Sequence, residues 1–368
     1  MSHLFESAKI GTMLLANRFV RSATWEGLAT VDGAVTPELV KAIEELARGG
    51  VGLIISSHAY VRPEGQAGPR QLGAYKDELV PGLRRMAAAA RENGAKMVLQ
   101  LAHAGCFAAE ELTGTPPLVV SAAVDSDDPP GREVSATGIR DLVRAFADAA
   151  RRAKAAGFDG VQIHAAHGYL LSQFLSPRFN RRTDAYGGGI RQRSRASVEV
   201  IEAVREVLGR DTPLLVKMNC RDWAEGGLEP DDAIQAAVLL QEAGVDAIEI
   251  SSGLPRFSKF TPVRPGIDSE EKEAYHQAEA TAFKKRLKVP LILVGGIRSF
   301  AVAERLVNGG VCDFISMCRP FIREPGLVNR WKSGDRQSAA CTSDNLCFGP
   351  IRKGDGFYCV TADKENKA

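Results

Sequence analysis

No stretch of this sequence approaches the ~20 consecutive apolar residues of a membrane helix. The first residues, MSHLFESAKIG, lack the basic and then apolar run of a secretory signal. A charge excess is also missing. Lys and Arg number 47 against 45 Asp and Glu, so the net charge is +2. With no basic block either, a dedicated nucleic-acid binder is disfavoured. No GxGxxG occurs anywhere, which argues against an open dinucleotide-binding sheet. No Pro/Ser/Gly-rich linker divides the chain into halves. Cysteines number seven, an odd and mostly dispersed set. That speaks against a disulfide framework and for a reducing compartment. The expectation is a globular, cytoplasmic protein with no membrane and no nucleic-acid partner.

One unit recurs: an Ala-rich amphipathic helix, a Gly near its end, then a short apolar strand. It reads EELARGGVGLIIS at 44–56, ARENGAKMVLQL at 90–101 and AKAAGFDGVQIH at 153–164. LLQEAGVDAIEIS at 239–251 and RLVNGGVCDFISM at 305–317 continue the series. Glycine tolerates the left-handed turn that ends a helix. The strands are continuous Val/Ile/Leu runs, the pattern of parallel strands buried on both faces. PLLVKMN from Pro213, PLILVGG from Pro290 and RFVRSA at 18–23 supply the other three. About eight strands, each followed by a helix, predict an α/β fold: a (β/α)8 TIM barrel in a single domain. The expected division is a barrel over 1–335 and a polar tail over 336–368. That tail should pack on the outside of the barrel or on a partner subunit of a homo-oligomer. Long loops at about 104–136 and 168–190, and a third at 254–270, follow strand ends. They fall on the C-terminal face, where barrels place their active sites.

Several residues at that face carry chemistry. His164 stands at a strand end, with His167 and Tyr169 just beyond. Two imidazoles so spaced can both donate to one oxygen and polarise a carbonyl. A tyrosine of ordinary pKa near ~10 stays protonated at neutral pH and can donate a proton. No Asp, Glu or Cys stands at metal spacing beside these histidines, so no metal site is expected there, His103 notwithstanding. Lys217 lies inside a strand expected to be buried, so it needs an anionic partner or ligand. Such a lysine either holds an anion or forms a Schiff base. Gly295 and Gly296 at the end of strand seven, with Arg319 at the end of strand eight, match the common barrel phosphate site. Gln100 offers an amide donor and acceptor at the same mouth. Flavin mononucleotide fits the set. Its phosphate suits the glycines and Arg319, its reduced ring suits Lys217, and its pyrimidine edge suits Gln100.

The chain resembles the Old Yellow Enzyme family of FMN-dependent ene-reductases, and in particular a single-domain relative of the 2,4-dienoyl-CoA reductase type. The resemblance runs from NRFVRSAT at 17–24 to CRPFIREP at 318–325. Its most specific part is HAAHGYLLSQFLSP followed by NRRTDAYGG. QLAHAG at 100–105 and VGLIISSHAYV at 51–61 support it. The resemblance implies that His164 and His167 bind the carbonyl of an enone-type small-molecule substrate and that Tyr169 protonates its α carbon. It implies that Ser22, Ala23 and Thr24 run along the flavin ring with His58 nearby, and that Gln100 and Lys217 touch it. Gly295, Gly296, Cys318 and Arg319 would form the phosphate site. NADH or NADPH would be the reductant, entering the same pocket as the substrate.

The departures from the family pattern are specific. Lys217 stands where the family usually has Arg. Trp25, or Thr24 on a one-residue shift, stands where a Cys or Thr tunes the flavin. His58 replaces a small residue. CTSDNLCFGP at 341–350 looks like the cluster segment of larger relatives, with Asp344 where they have a cysteine. Cys341, Cys347 and Cys359 remain, one short of the usual four thiolates. No iron–sulfur cluster is therefore expected. The alternative reading of the residues is a Schiff-base aldolase that uses Lys217 on a phosphorylated substrate.

Overall fold

The computed structural model describes residues 2–123 and 127–367. Three residues of the expected 104–136 loop, 124–126, lie outside the described residues, as do the first residue and the last residue of the tail.

Eight strands close into a barrel. They are β1 (Phe19–Arg21), β2 (Leu53–Tyr60), β3 (Lys96–Ala102), β4 (Gly160–Ala165), β5 (Leu214–Asn219), β6 (Ala247–Ser251), β7 (Leu291–Val294) and β8 (Phe314–Met317). Every neighbouring pair is parallel, and the ring closes where Ile315 of β8 lies opposite Phe19 of β1. The outer helices are α1 (Pro37–Arg48), α2 (Val80–Glu92), α3 (Ala136–Ala156), α4 (Arg195–Leu208), α5 (Pro230–Glu242), α6 (Gln277–Lys284), α7 (Phe300–Asn308) and α8 (Leu327–Lys332). Local chemistry sets their ends. The Thr36 hydroxyl accepts the Leu39 N–H and Pro37 opens α1. Ser135 caps α3, and Gly157, at φ +83°, ends it.

Side chains alternate along a strand, so every second residue faces the barrel axis. The alternation sorts the interior into levels. At the N-terminal ends of the strands Val20, Leu53, Ile55, Val98, Leu215, Ala247, Ile292 and Phe314 form one apolar cluster. Ile10, Met13 and Leu15 join it from an antiparallel hairpin, Ala8–Ile10 with Met13–Leu15. That hairpin plugs one end of the barrel. Two residues further along the strands stand Ser22, Gln100, Gln162, Lys217, Glu249 and Ser316, all buried and all polar. Two more residues on come His164, Asn219, Ser251 and Cys318. A register shift in β2 between Ile55 and His58 breaks the alternation there and sets His58 opposite Gln100.

The tail packs against the loops at one end of the barrel. After α8 it returns across the C-terminal face. Arg298 Nη2 donates to the Ala339 carbonyl at 2.9 Å, and Asn345 Nδ2 to the Val263 carbonyl at 3.1 Å. A short helix, Phe348–Lys353, then lies against the loop after β1. Gly27, at φ +63°, permits that approach: a Cβ there would sit 2.9 Å from the Ile351 carbonyl oxygen.

Candidate active site

The interior level of the barrel is built around one carboxylate. Glu249 is completely buried. Its Oε1 accepts from Ser22 Oγ at 2.7 Å, Ser316 Oγ at 2.8 Å and Lys217 Nζ at 3.2 Å. Its Oε2 accepts from Gln162 Nε2 at 3.0 Å. Gln162 in turn accepts from Gln100 Nε2 at 2.7 Å, and Lys217 also donates to Ser22 Oγ at 2.7 Å. Burial pushes the Glu249 carboxyl up, but Lys217 and the hydroxyl and amide donors outweigh it and hold the group below its usual range. Lys217 and Glu249 are register partners on β5 and β6, so the pair follows from strand pairing alone.

One turn higher, four rings meet. His164 and His167 lie edge to face with centroids 5.2 Å apart. Tyr169 stacks obliquely on His164 at 4.8 Å. His58 approaches the same group, and its Nε2 shares a hydrogen bond with the Tyr169 hydroxyl at 3.2 Å. The His164 Nδ1 is buried and has no partner among the described residues. His167 holds an unusual left-handed backbone, φ +60°. Its N–H donates to Asn219 Oδ1 at 3.0 Å, and Asn219 is itself fixed by Asp222 at 2.8 Å and the Gly253 carbonyl. His167 Nε2 pairs with Ser251 Oγ at 2.7 Å. Burial drives all three imidazoles down: His58 to about 4, His164 and His167 well below the ordinary value. For His164 the neighbours His167, His58 and Lys217 add to burial; for His167 they are Lys217, His58 and His276. Burial pushes the Tyr169 phenol up, which keeps it protonated. The rings are therefore neutral donors and the phenol a proton carrier.

These groups face a cavity of about 590 Å³, lined also by Ala23, Thr24, Trp25, Gln100, Lys217 and Cys318. It opens into a narrower chamber of about 80 Å³ that shares Ala23, His167, Lys217 and Cys318 with it. Ser22, Gly296, Ile297, Arg298, Arg319 and Ser343 line that chamber. Gly296 is left-handed at φ +73°, and a Cβ there would sit 2.8 Å from the Tyr275 ring. The Gly295 carbonyl accepts the Tyr275 N–H at 3.2 Å, beside the chamber that Gly296 lines. The Arg319 guanidinium donates to Asn345 Oδ1 at 2.7 Å and the Ser343 carbonyl at 3.2 Å. A wide cavity with a polar floor, joined to a narrow arm ending at a glycine and an arginine, fits a ring that carries a phosphorylated tail. Here Lys217, Gln100, Ser22, Ala23 and Thr24 would border the ring, and Gly296, Cys318 and Arg319 the tail.

The structure also reaches groups that sequence reasoning missed. Glu249, Gln162 and Ser316 build the floor, and Asn219 and Ser251 orient His167. The tail supplies a wall: Asn345, Leu346, Phe348, Gly349 and Arg352 all line the wide cavity. Thr24 is buried and its hydroxyl lies 2.9 Å from the Ser22 carbonyl and 3.1 Å from Cys318 Sγ. Trp25 lines the cavity, with its indole N–H buried and unpartnered among the described residues. The cysteine segment does not offer a four-thiolate donor set. The Asp344 carboxylate is taken up by the Thr342 hydroxyl at 2.8 Å, the Thr361 hydroxyl at 2.5 Å and the Leu346 N–H at 2.9 Å. It closes the 342–346 turn and ties that turn to the helix Val360–Lys367.

Comparison with known proteins gives one consistent result. The profile of the NADH:flavin oxidoreductase / NADH oxidase family matches residues 3–338. An NADH oxidase of Thermoanaerobacter brockii is 35% identical over 354 residues, covering 94% of this chain and 54% of that protein. An NADPH dehydrogenase of Geobacillus sp. (strain WCH70) is 36% identical over 323 residues, 88% of this chain and 91% of that protein. Among solved structures, a 2-naphthoyl-CoA reductase in complex with 2-naphthoyl-CoA superposes with a TM-score of 0.90 at 28% identity. It covers 97% of this chain and 56% of that one. The chain thus spans about half the length of the first curated relatives it matches.

Two outcomes follow from the buried charges. Glu249→Leu leaves Lys217 buried without its counter-charge. It is expected to cost about 3–5 kcal/mol in urea unfolding; a loss below about 1 kcal/mol would show that the pair carries little. The second concerns acid. Burial, with the Arg62 charge adding to it, holds His103 down to about 3, and His58 lies at about 4. Between those values and the ordinary ~6.5 of a free imidazole, the unfolded chain binds protons that the folded chain refuses. Stability is therefore full above about pH 6.5 and declines as the pH falls toward 4. Urea midpoints across that window measure it. His103→Gln should flatten the slope, and a slope unchanged by that variant would contradict the assignment.

Proposed function

Because the chain belongs to the NADH:flavin oxidoreductase / NADH oxidase family, the family of the Old Yellow Enzymes, we propose that it is an FMN-dependent oxidoreductase. In this reading it uses NADH or NADPH to reduce the C=C bond of α,β-unsaturated carbonyl compounds. The observation that carries it is the His164 Nδ1, buried and unpartnered beside His167 and Tyr169, on the wall of a cavity whose floor holds Lys217.

FMN, when bound, supplies hydride transfer; the rest belongs to this chain. Lys217 presents a fixed positive charge to the floor of the cavity, held by Ser22 and Glu249. A cation there favours a ring that gains negative charge on reduction. Gln100 presents its carboxamide beside it, oriented by Gln162. His164 and His167 are kept neutral by burial, so each ring keeps one N–H and one lone pair. Their N–H groups suit a carbonyl oxygen, on which charge develops as the β carbon is attacked. Asn219 fixes the His167 backbone and Ser251 its ring before substrate arrives, so little reorganisation is needed. Tyr169 holds its proton on the phenolic oxygen, next to His58, and is suited to deliver it to the α carbon. Trp25, Leu346 and Phe348 supply an apolar rim to the upper cavity.

A Schiff-base role for Lys217 is disfavoured. Such a lysine needs a free amine lone pair, whereas Lys217 donates to a buried carboxylate and a hydroxyl. We also propose that the protein works without an iron–sulfur cluster, since Asp344 stands in place of the missing cysteine and is engaged by Thr342, Leu346 and Thr361.

Replacing the donors tests the reading. Tyr169→Phe is expected to lower enone turnover by about 10²–10⁴-fold, the usual worth of a placed general acid. Flavin content and anaerobic reduction by NAD(P)H should stay within a few-fold. The double change His164→Ala with His167→Ala should lose enone turnover in the same way while retaining flavin. Unchanged turnover in either variant would overturn the assignment.

A further inference from the structure

Three side chains that line neither chamber converge beside the barrel. Cys220 follows the last residue of β5, and its N–H donates to the Ser251 carbonyl at 2.7 Å. His276 immediately precedes α6, and Glu279 lies in its first turn. The spacing of three puts His276 and Glu279 on one face. One ligand atom from each of the three lies within 4.8 Å of the other two. Cys220 and His276 are fully buried, and Glu279 is half-buried.

A second observation points to a ligand. The His276 Nε2 pairs with Ser252 Oγ at 3.3 Å, while its Nδ1 is buried with no partner among the described residues. A ring that donates Nε2–H to a hydroxyl presents a bare lone pair on Nδ1. This is the arrangement that orients metal-bound histidines, one nitrogen on the metal and the other on an outer hydrogen-bond acceptor.

We propose that Cys220, His276 and Glu279 bind a divalent transition-metal ion, zinc by the nature of the donors. Thiolate, imidazole and carboxylate are the zinc donor types. A thiolate and a carboxylate carry two negative charges, which a divalent ion cancels in a buried place. Zinc bonds of ~2.0–2.3 Å separate tetrahedral ligand atoms by roughly 3.3–3.8 Å, so the group needs to contract by no more than about 1.5 Å. Glu279, on the solvent side, is the one free to make that move. The fourth position stays open to water. The ion ties the end of β5 to the start of α6. It thereby fixes Tyr275, next to His276, over Gly296 at the narrow chamber.

Arg264 is the competing partner. Its guanidinium lies 4.2 Å from the centroids of both Phe260 and Tyr275, within electrostatic reach of Cys220 and Glu279. Without a metal, Arg264 would be the charge that compensates them. The two accounts give different numbers for bound zinc.

The full chain, stripped with a chelator and dialysed, should take up one zinc per chain. Titration against a chromophoric chelator and elemental analysis read this. Cys220→Ser should weaken binding at least 10-fold. Glu279→Gln, at a half-buried position, should do the same. With cobalt in place of zinc, a near-ultraviolet thiolate absorption should appear and vanish in Cys220→Ser. A double variant, Cys341→Ser with Cys347→Ser, should keep the metal. No zinc bound at micromolar concentration, or binding unchanged in both Cys220→Ser and Glu279→Gln, would overturn the proposal and leave Arg264 as the compensating charge. Loss of the metal in the Cys341/Cys347 variant alone would overturn it too, by placing the ion in the tail.

Discussion

A carboxylate with no access to water sits at the centre of this barrel, and the site depends on it. Glu249 is stable there because four groups donate to it: Gln162, Lys217 and Ser316 from three other strands, and Ser22 from just beyond β1. A buried ion pair contributes little net stability when set against a well-packed apolar substitute. Its value here is placement. The network links strand ends around the ring and holds one cation at a fixed depth, just below the cavity.

That fixed cation shapes the level above it. Burial above all, with the Lys217 charge and the neighbouring imidazoles adding to it, keeps His164 and His167 from taking up a proton near neutral pH. Neutral imidazoles are the form that offers a hydrogen bond without adding a second buried charge. The Asp222–Asn219–His167 chain holds the second imidazole in a backbone conformation that a histidine seldom adopts. Strain of this kind persists only where the surroundings over-determine it, and it concentrates at functional sites.

Much of this was legible in the sequence, for a physical reason. Parallel strands buried on both faces are written as unbroken apolar runs, so an interruption such as Lys217 and a strand end such as His164 stand out. Glu249 interrupts its run, AIEIS, in the same way and on the adjacent strand. Setting the two runs in register would have found the pair. Other features left no local trace. His58 reaches the site through a register shift in β2, which alternation does not reveal. Asn219 and Ser251 act through bonds to residues 52 and 84 positions away in the chain. The tail reads as polar and irregular, because contacts with distant loops hold it rather than any period of its own. Its return over the mouth rests on pairs such as Asn345 with Val263 and Gly27 with Ile351, and a single sequence carries no signal for them.

Lys217, Gln100 and the two imidazoles have a redox role only if this cavity holds a flavin. The most direct measurement is the absorbance spectrum of the purified protein under nitrogen, before and after NADH or NADPH, and again after an enone. The oxidised flavin bands should be present, bleach with the nicotinamide and return with the enone. A protein that gains no flavin spectrum on incubation with FMN, or whose bands neither nicotinamide bleaches, would contradict it.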